Sequence, residues 1–137
     1  MQQPPLIVHL DPAVREARAR EIHDGGRAGT LFVVSLGRLP DTLQEAELFG
    51  VVRGCFGCGH DNPGLLARAA GGSCFIDEVT EASDDALRGL ARYVTTGTIF
   101  KVGSEEPERC ETRIILGAAE HGPALEAIVE RLRARVA

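Results

Sequence analysis

Four short runs of apolar residues punctuate the chain: Leu6-Ile7-Val8, Leu31-Phe32-Val33-Val34, Cys74-Phe75-Ile76 and Ile114-Ile115-Leu116. Each is continuous rather than alternating, the pattern of strands covered on both faces in a parallel sheet. Between them the apolar spacing becomes helical. Asp11-Pro12 reads as an N-cap followed by proline at the first helical position, opening a helix to about His23 that stops at Gly25-Gly26. Ser83 opens a second, with Asp84 and Asp85 complementing the dipole of its first turn. Its Leu87, Leu90, Ala91 and Val94 share one face, and Gly97 ends it. A third starts at Pro123 and carries Leu125, Ile128, Val129, Leu132 and Val136 in one stripe. Strands alternating with helices predict an α/β sandwich on a mostly parallel sheet.

Composition narrows the function classes. A chain of 137 residues, 44% hydrophobic and 26% charged, is expected to form one globular domain over residues 1–137. No apolar run approaches the roughly 18–20 residues that cross a bilayer, so no membrane contact is expected. The formal charge of −5, the 4% aromatic content and the lack of tryptophan argue against direct nucleic-acid binding. Arginines cluster in Arg15–Arg20 and Arg131–Arg135, but glutamates interleave them, and both stretches read as solvated helix faces. The N-terminal Met1-Gln2-Gln3-Pro4-Pro5 lacks a secretory pattern; a cytoplasmic setting with reduced cysteines is the expectation.

The stretch Gly54-Cys55-Phe56-Gly57-Cys58-Gly59-His60 admits three chemistries: a zinc knuckle, a redox pair, or a glycine-rich loop that carries sulfur. A closed zinc site needs two ligands beyond Cys55 and Cys58. His60 is near in sequence, and Cys74 or Cys110 would have to be the fourth, but Cys74 falls in a buried strand and no second pair has ligand spacing. The glycine-rich loop is therefore the favoured reading, with a zinc- or thiol-dependent protein built on Cys55 and Cys58 kept as an alternative.

Three segments carry a resemblance to a known family: LPDTLQEAELFG (Leu39–Gly50), GCFGCG (Gly54–Gly59) and PGLLARAAGGSCFIDE (Pro63–Glu78). In order and spacing they resemble the central AAA+ domain of sigma-54-dependent transcriptional activators, the NtrC-type enhancer-binding proteins. There an L-P-x-x-L-x-E-x-E-L-F-G segment leads into a G-A-F-T-G-A loop and then a G-G-T-L-F-L-D-E Walker B strand. The helix segment Ala86–Gly103 and the strand Thr112–Leu116 also match, and the resemblance covers roughly residues 5–119. It implies a P-loop NTPase-like three-layer sandwich. It also implies a partner-contact loop at Gly54, Cys55, Phe56, Gly57, Cys58 and Gly59, and Walker B acids at Asp77 and Glu78.

The departures from the family pattern are as informative. Its G-x-x-G-x-G-K-E phosphate loop falls on His9, Leu10, Asp11, Pro12, Ala13, Val14 and Arg15, where all three glycines are missing. Pro12 has no N–H to offer, Asp11 sets a carboxylate where phosphate would sit, and Arg15 replaces the lysine with a differently shaped cation. Ser35 stands for an asparagine after the second strand, Ala118-Ala119 for a threonine–asparagine pair, and Lys101 for an inter-subunit arginine. One helix follows Ala119 where the family continues into a fifth strand and a helical lid, so the lid is expected to be missing.

The expectation is thus a catalytically degenerate activator core, without cofactor, with Asp77 and Glu78 vestigial. It would act in transcription regulation through a protein partner: sigma-54 RNA polymerase, another activator subunit, or a further copy of itself in a homo-oligomer. The alternative from the enzyme class is a residual ATPase using ATP and magnesium.

Overall fold

The computed structural model describes residues 3–55 and 59–133. Its centre is a four-stranded, wholly parallel sheet of β1 (Leu6–Val8), β2 (Leu31–Ser35), β5 (Ser73–Asp77) and β8 (Arg113–Ala118), in spatial order β1-β8-β5-β2. All four apolar runs became strands of this sheet. β5 and β8 lie inside it and are buried along most of their length, whereas the edge strand β2 leaves Val33 40% exposed. Two small hairpin ladders lie outside it, pairing β3 (Gly50–Val51) with β4 (Asn62–Pro63) and β6 (Thr98–Ile99) with β7 (Glu108–Arg109).

The helices are α1 (Pro12–Asp24), α2 (Asp41–Phe49), α3 (Leu65–Arg68), α4 (Asp84–Thr96) and α5 (Pro123–Arg131). The Asp11 side chain accepts from the Ala13 N–H and that of Ser83 from the Ala86 N–H, so both expected N-caps are in place. Gly97 closes α4 at φ 75°, a left-handed conformation that glycine adopts without a Cβ penalty. The family-like segment Ala86–Gly103 is accordingly helical only to Thr96, then turns into β6. α5 carries Leu125, Ile128 and Leu132 inward; Val136 and Arg135 lie outside the described residues. Helix α2 has no counterpart among the helices read from apolar spacing, because its nine residues bury only Gln44, Leu48 and Phe49.

α2, α4 and α5 cover one face of the sheet and enclose most of the core, including Phe49, Leu66, Ile76, Leu90 and Leu116. Packing there is close: a Cβ on Gly89 of α4 would collide with the Phe49 ring. Gln44 is fully buried at the centre of this side. Its amide donates to the carbonyls of Leu36 and Glu81 (3.1 and 2.9 Å), and its oxygen accepts from the Ser83 N–H (2.7 Å), so one side chain ties α2 to two loops and to the start of α4. Among the described residues only α1 covers the other face, over a cluster of Ala19, Phe75 and Ile115.

Candidate functional site: the turn from β1 to α1 and the end of β5

Buried positions on α1 recur every four residues, Arg15, Ala19 and His23, and so lie in one line along the helix. On β5 the residues facing α1 are Ser73, Phe75 and Asp77, two apart. Eight helical residues rise about 12 Å and four strand residues about 13 Å, so the two series match in length. They match in chemistry as well. The His23 Nδ1 lies 2.8 Å from Ser73 Oγ, Ala19 and Phe75 share the central cluster, and Arg15 meets Asp77. The His23 ring also donates from Nε2 to the Gly29 carbonyl (2.7 Å).

The Arg15–Asp77 contact is bidentate: Nε donates to Oδ1 at 2.8 Å and Nη2 to Oδ2 at 3.2 Å. The remaining nitrogen, Nη1, donates to the carbonyls of His9 (2.5 Å) and Leu10 (3.3 Å). Arg15 is only 3% exposed. This corrects the sequence expectation that Arg15 belongs to a solvated helix face: Arg20 and Glu16 are such residues, about half exposed, whereas Arg15 is held inside. Asp77 Oδ1 further accepts from the Glu78 N–H (2.9 Å). Gly117, next to it on β8, has no room for a side chain, since a Cβ there would meet the Asp77 carboxylate and the Phe75 ring.

From Asp11 to Arg15 the backbone donors of the turn are all engaged. The Asp11 N–H donates to His9 Nδ1 (2.9 Å) and the Ala13 N–H to Asp11 Oδ1 (2.9 Å). The Val14 and Arg15 N–H groups both donate to the Asp11 carbonyl at 3.1 Å. Pro12 has no N–H. From residue 11 to residue 15 no backbone donor points outward.

Glu78 sits beside this clamp, half-buried, at φ 51°, a left-handed backbone that a glutamate adopts only when its surroundings impose it. Its carboxylate accepts from Ser35 Oγ and packs against Gly37, where any Cβ would strike it. The structure thus brings together the residues singled out at the phosphate-loop position and at Walker B, Arg15 with Asp77 and Ser35 with Glu78. Ala118 is buried in β8, and its carbonyl accepts from the His9 N–H (3.1 Å).

The loop from Val52 to Asp61 is pinned at its base by the β3–β4 ladder and by bonds from Val52 N–H to the Val102 carbonyl and from Val102 N–H to the Gly50 carbonyl. Gly103, at φ 87°, leaves space that the Cys55 thiol fills. Lys101 is engaged by Glu108 through a 2.7 Å salt bridge on the β6–β7 side. Phe56, Gly57 and Cys58 lie outside the described residues, while Gly54, Gly59 and His60 are exposed. Among the described residues no three His, Cys, Asp or Glu side chains converge as metal ligands. Cys74 is fully buried in the main core, where burial pushes its thiol up to about 12, and Cys110 packs against the same core, its thiol also raised by burial.

At this site the sequence named His23 only as a helix end, without its bonds to Ser73 and Gly29. On the opposite face Gln44 and Tyr93, whose hydroxyl bonds the Cys110 and Thr112 carbonyls and the Thr112 N–H, were not singled out at all as polar anchors. A histidine in the helix line of Arg15 and Ala19 is the one signal that pointed to its burial.

Comparison with known proteins agrees with this geometry. Residues 13–135 match the family model of the sigma-54 interaction domain. The hydrogenase transcriptional regulatory protein HoxA of Bradyrhizobium diazoefficiens is 39% identical over 133 residues, 95% of this chain and 27% of its own length. The nitric oxide reductase transcription regulator NorR1 of Cupriavidus necator is 39% identical over 94 residues, 68% of this chain and 18% of its own. The chain therefore spans less than a third of the curated relatives it matches. Among solved structures, NtrX from Brucella abortus in complex with ATP superposes with a TM-score of 0.79 at 25% identity, covering 97% of this chain and 28% of that one. The parallel sheet in this strand order, its helices and these matches together make it a P-loop NTPase-like α/β fold. The chain belongs to the sigma-54 interaction domain family of transcription regulators.

Proposed function

We propose that this chain is a non-catalytic sigma-54 interaction core that acts in transcription regulation by contacting protein partners, sigma-54 RNA polymerase or another activator subunit. The observation that carries this reading is the closed turn at residues 11–15. A triphosphate is held by backbone N–H groups and a free cation, with magnesium beside an available carboxylate. Here each backbone donor is consumed within the turn, Arg15 is committed, and both oxygens of Asp77 accept from it. ATP and magnesium do not fit these residues as they stand. Binding them would require breaking a buried ion pair and leaving its members unmatched. The contact surface in this reading is the loop Gly54–Gly59, carried between β3 and β4, whose flanking Val52 is bonded to Val102.

Thermal denaturation with and without magnesium-ATP tests it directly, since a ligand that binds only the folded state raises the midpoint. No shift is expected at about 5 mM nucleotide; a concentration-dependent rise, at about 2.7 kcal/mol for a hundredfold excess over Kd, overturns the reading.

A second reading, a residual ATPase, is favoured by two features: Asp77 ends β5 with Glu78 directly after it, bonded to Ser35 as a polar partner, and the similar NtrX was solved with ATP. Release of inorganic phosphate that Glu78→Gln abolishes would establish that reading in place of the first.

A further inference from the structure

At the opposite end of β5 from Asp77, the N-terminal ends of the strands border a groove of about 860 Å³. That volume falls within the roughly 300–1,000 Å³ of small-molecule sites. Three arginines line it: Arg27 from the turn after α1, Arg109 from β7 and Arg113 from the start of β8. They come from three separate stretches of chain, so their convergence is a product of the fold.

We propose that this groove binds a small organic anion, a phosphate or carboxylate carried on an apolar body. Neither Arg109 nor Arg113 forms a salt bridge among the described residues, so no carboxylate neutralises either guanidinium at contact distance. Arg27 is held in place by neutral acceptors, donating from Nε to the Gly72 carbonyl (3.1 Å) and from Nη2 to the Glu111 carbonyl (2.8 Å), which orient its guanidinium without neutralising it. The opposing charge is small. Glu111 is the one carboxylate on the lining, and the C-terminal turn of α4, worth about half a negative charge, has its Arg92 and Tyr93 carbonyls already taken by Thr96 Oγ1 and the Gly97 N–H. On a chain of formal charge −5 this is a local reversal of sign.

The rest of the lining fixes the other half of the ligand. Pro4 and Pro5, half-buried, and Ala70, exposed, present apolar surface, and the Tyr93 hydroxyl is fully engaged by Cys110 and Thr112, leaving it no hydrogen bond to give. A planar guanidinium fork pairs with phosphate and carboxylate oxygens alike, so the head group is defined as an oxyanion and its body as apolar.

Isothermal titration calorimetry on the 137-residue chain decides it, with phenyl phosphate, benzoate and inorganic phosphate as probes. Phenyl phosphate or benzoate is expected to bind below about 1 mM, and whichever is tighter assigns the head group. Inorganic phosphate, which lacks the apolar body, is expected to be at least about tenfold weaker. Arg109→Gln with Arg113→Gln is expected to weaken the tighter probe at least about tenfold, with Arg109→Lys in the Arg113→Gln background recovering part of the loss. Should the double variant not fold, Arg109→Gln alone, at an exposed position of a two-residue strand, carries the comparison with an expected loss of about threefold or more. The proposal is overturned by no heat from either organic probe up to about 10 mM. Affinity unchanged in the arginine variants, or inorganic phosphate binding as tightly as the organic probes, overturns it equally. None of these outcomes depends on whether magnesium-ATP binds at the other end of the sheet.

Discussion

One face of the central sheet is sealed by α2, α4 and α5 over a continuous apolar core, with Gln44 and Tyr93 as its fully bonded polar members. The other is covered, among the described residues, by α1 alone, a helix whose contact line is Arg15, Ala19 and His23, and whose apolar cluster has three fully buried members. On the first face burial does the holding, and specificity comes from shape. On the second, two polar clamps a fixed distance apart set the helix in register along β5, and little apolar area stands behind them. A buried ion pair is weak evidence of net stability, but removing one partner is costly because the other is left charged and alone. The α1 face is thus conditionally stable, dependent on both members of each clamp being present.

The sharpest way to break that contrast is Arg15→Ala. It strands Asp77 in the interior and is expected to cost about 3–5 kcal/mol, read from the urea midpoint at constant m. Replacing both partners, Arg15→Met with Asp77→Leu, is expected to recover most of that loss. A single variant costing under about 1 kcal/mol would show that the clamp is not what holds α1.

Leu90→Ala on the other face should cost about 2–5 kcal/mol through the cavity it leaves, with no partner substitution at a neighbouring core position restoring it. The two faces then differ in whether the loss can be rescued rather than in its size. His23→Ala, which leaves the Gly29 carbonyl and Ser73 hydroxyl without their partner, is expected to cost about 1–3 kcal/mol in the same measurement.

Alkali should act on the apolar face. Burial raises Cys74 from 9.0 to about 12 and Tyr93 from 10.0 to about 12. In both, folding favours the neutral form, so their contribution is complete below about pH 9 and is lost as pH rises towards 12. Urea midpoints are expected to fall by an equivalent of about 1–2 kcal/mol between pH 8 and pH 10, and Cys74→Ala should flatten part of that slope.

The smallest effect belongs to the surface. Asp84, 81% exposed, is held below the ordinary carboxylate range by a hydrogen bond from Arg131, so whatever it contributes is present at neutral pH and fades as acid protonates it. Asp84→Asn is expected to leave the midpoint unchanged within error at pH 7 and at pH 3.

The strands and their faces were legible because each is a local property. Continuous apolar runs marked β1, β2, β5 and β8, and Asp11, Ser83 and Gly97 marked helix ends through bonds that span four residues or fewer. The motif segments located the turn at residues 9–15 and the acids ending β5 without revealing their relation. Helix α2 escaped because its buried apolar residues, Leu48 and Phe49, sit only at its end, and the rest of its contact is a glutamine whose three partners lie elsewhere in the chain.

From the residues in order one could read that the phosphate loop had lost its glycines and that its lysine had become Arg15. Where that arginine points could not be read. A charged side chain in a run of arginines and glutamates belongs to solvent unless something inside compensates it, and the compensating Asp77 stands 62 positions away, brought alongside only when α1 packs antiparallel to β5. Local chemistry wrote the elements; the pairing of charges across them exists only in the packed molecule, because a buried ion pair needs both members at hydrogen-bonding distance and no stretch of sequence contains the two.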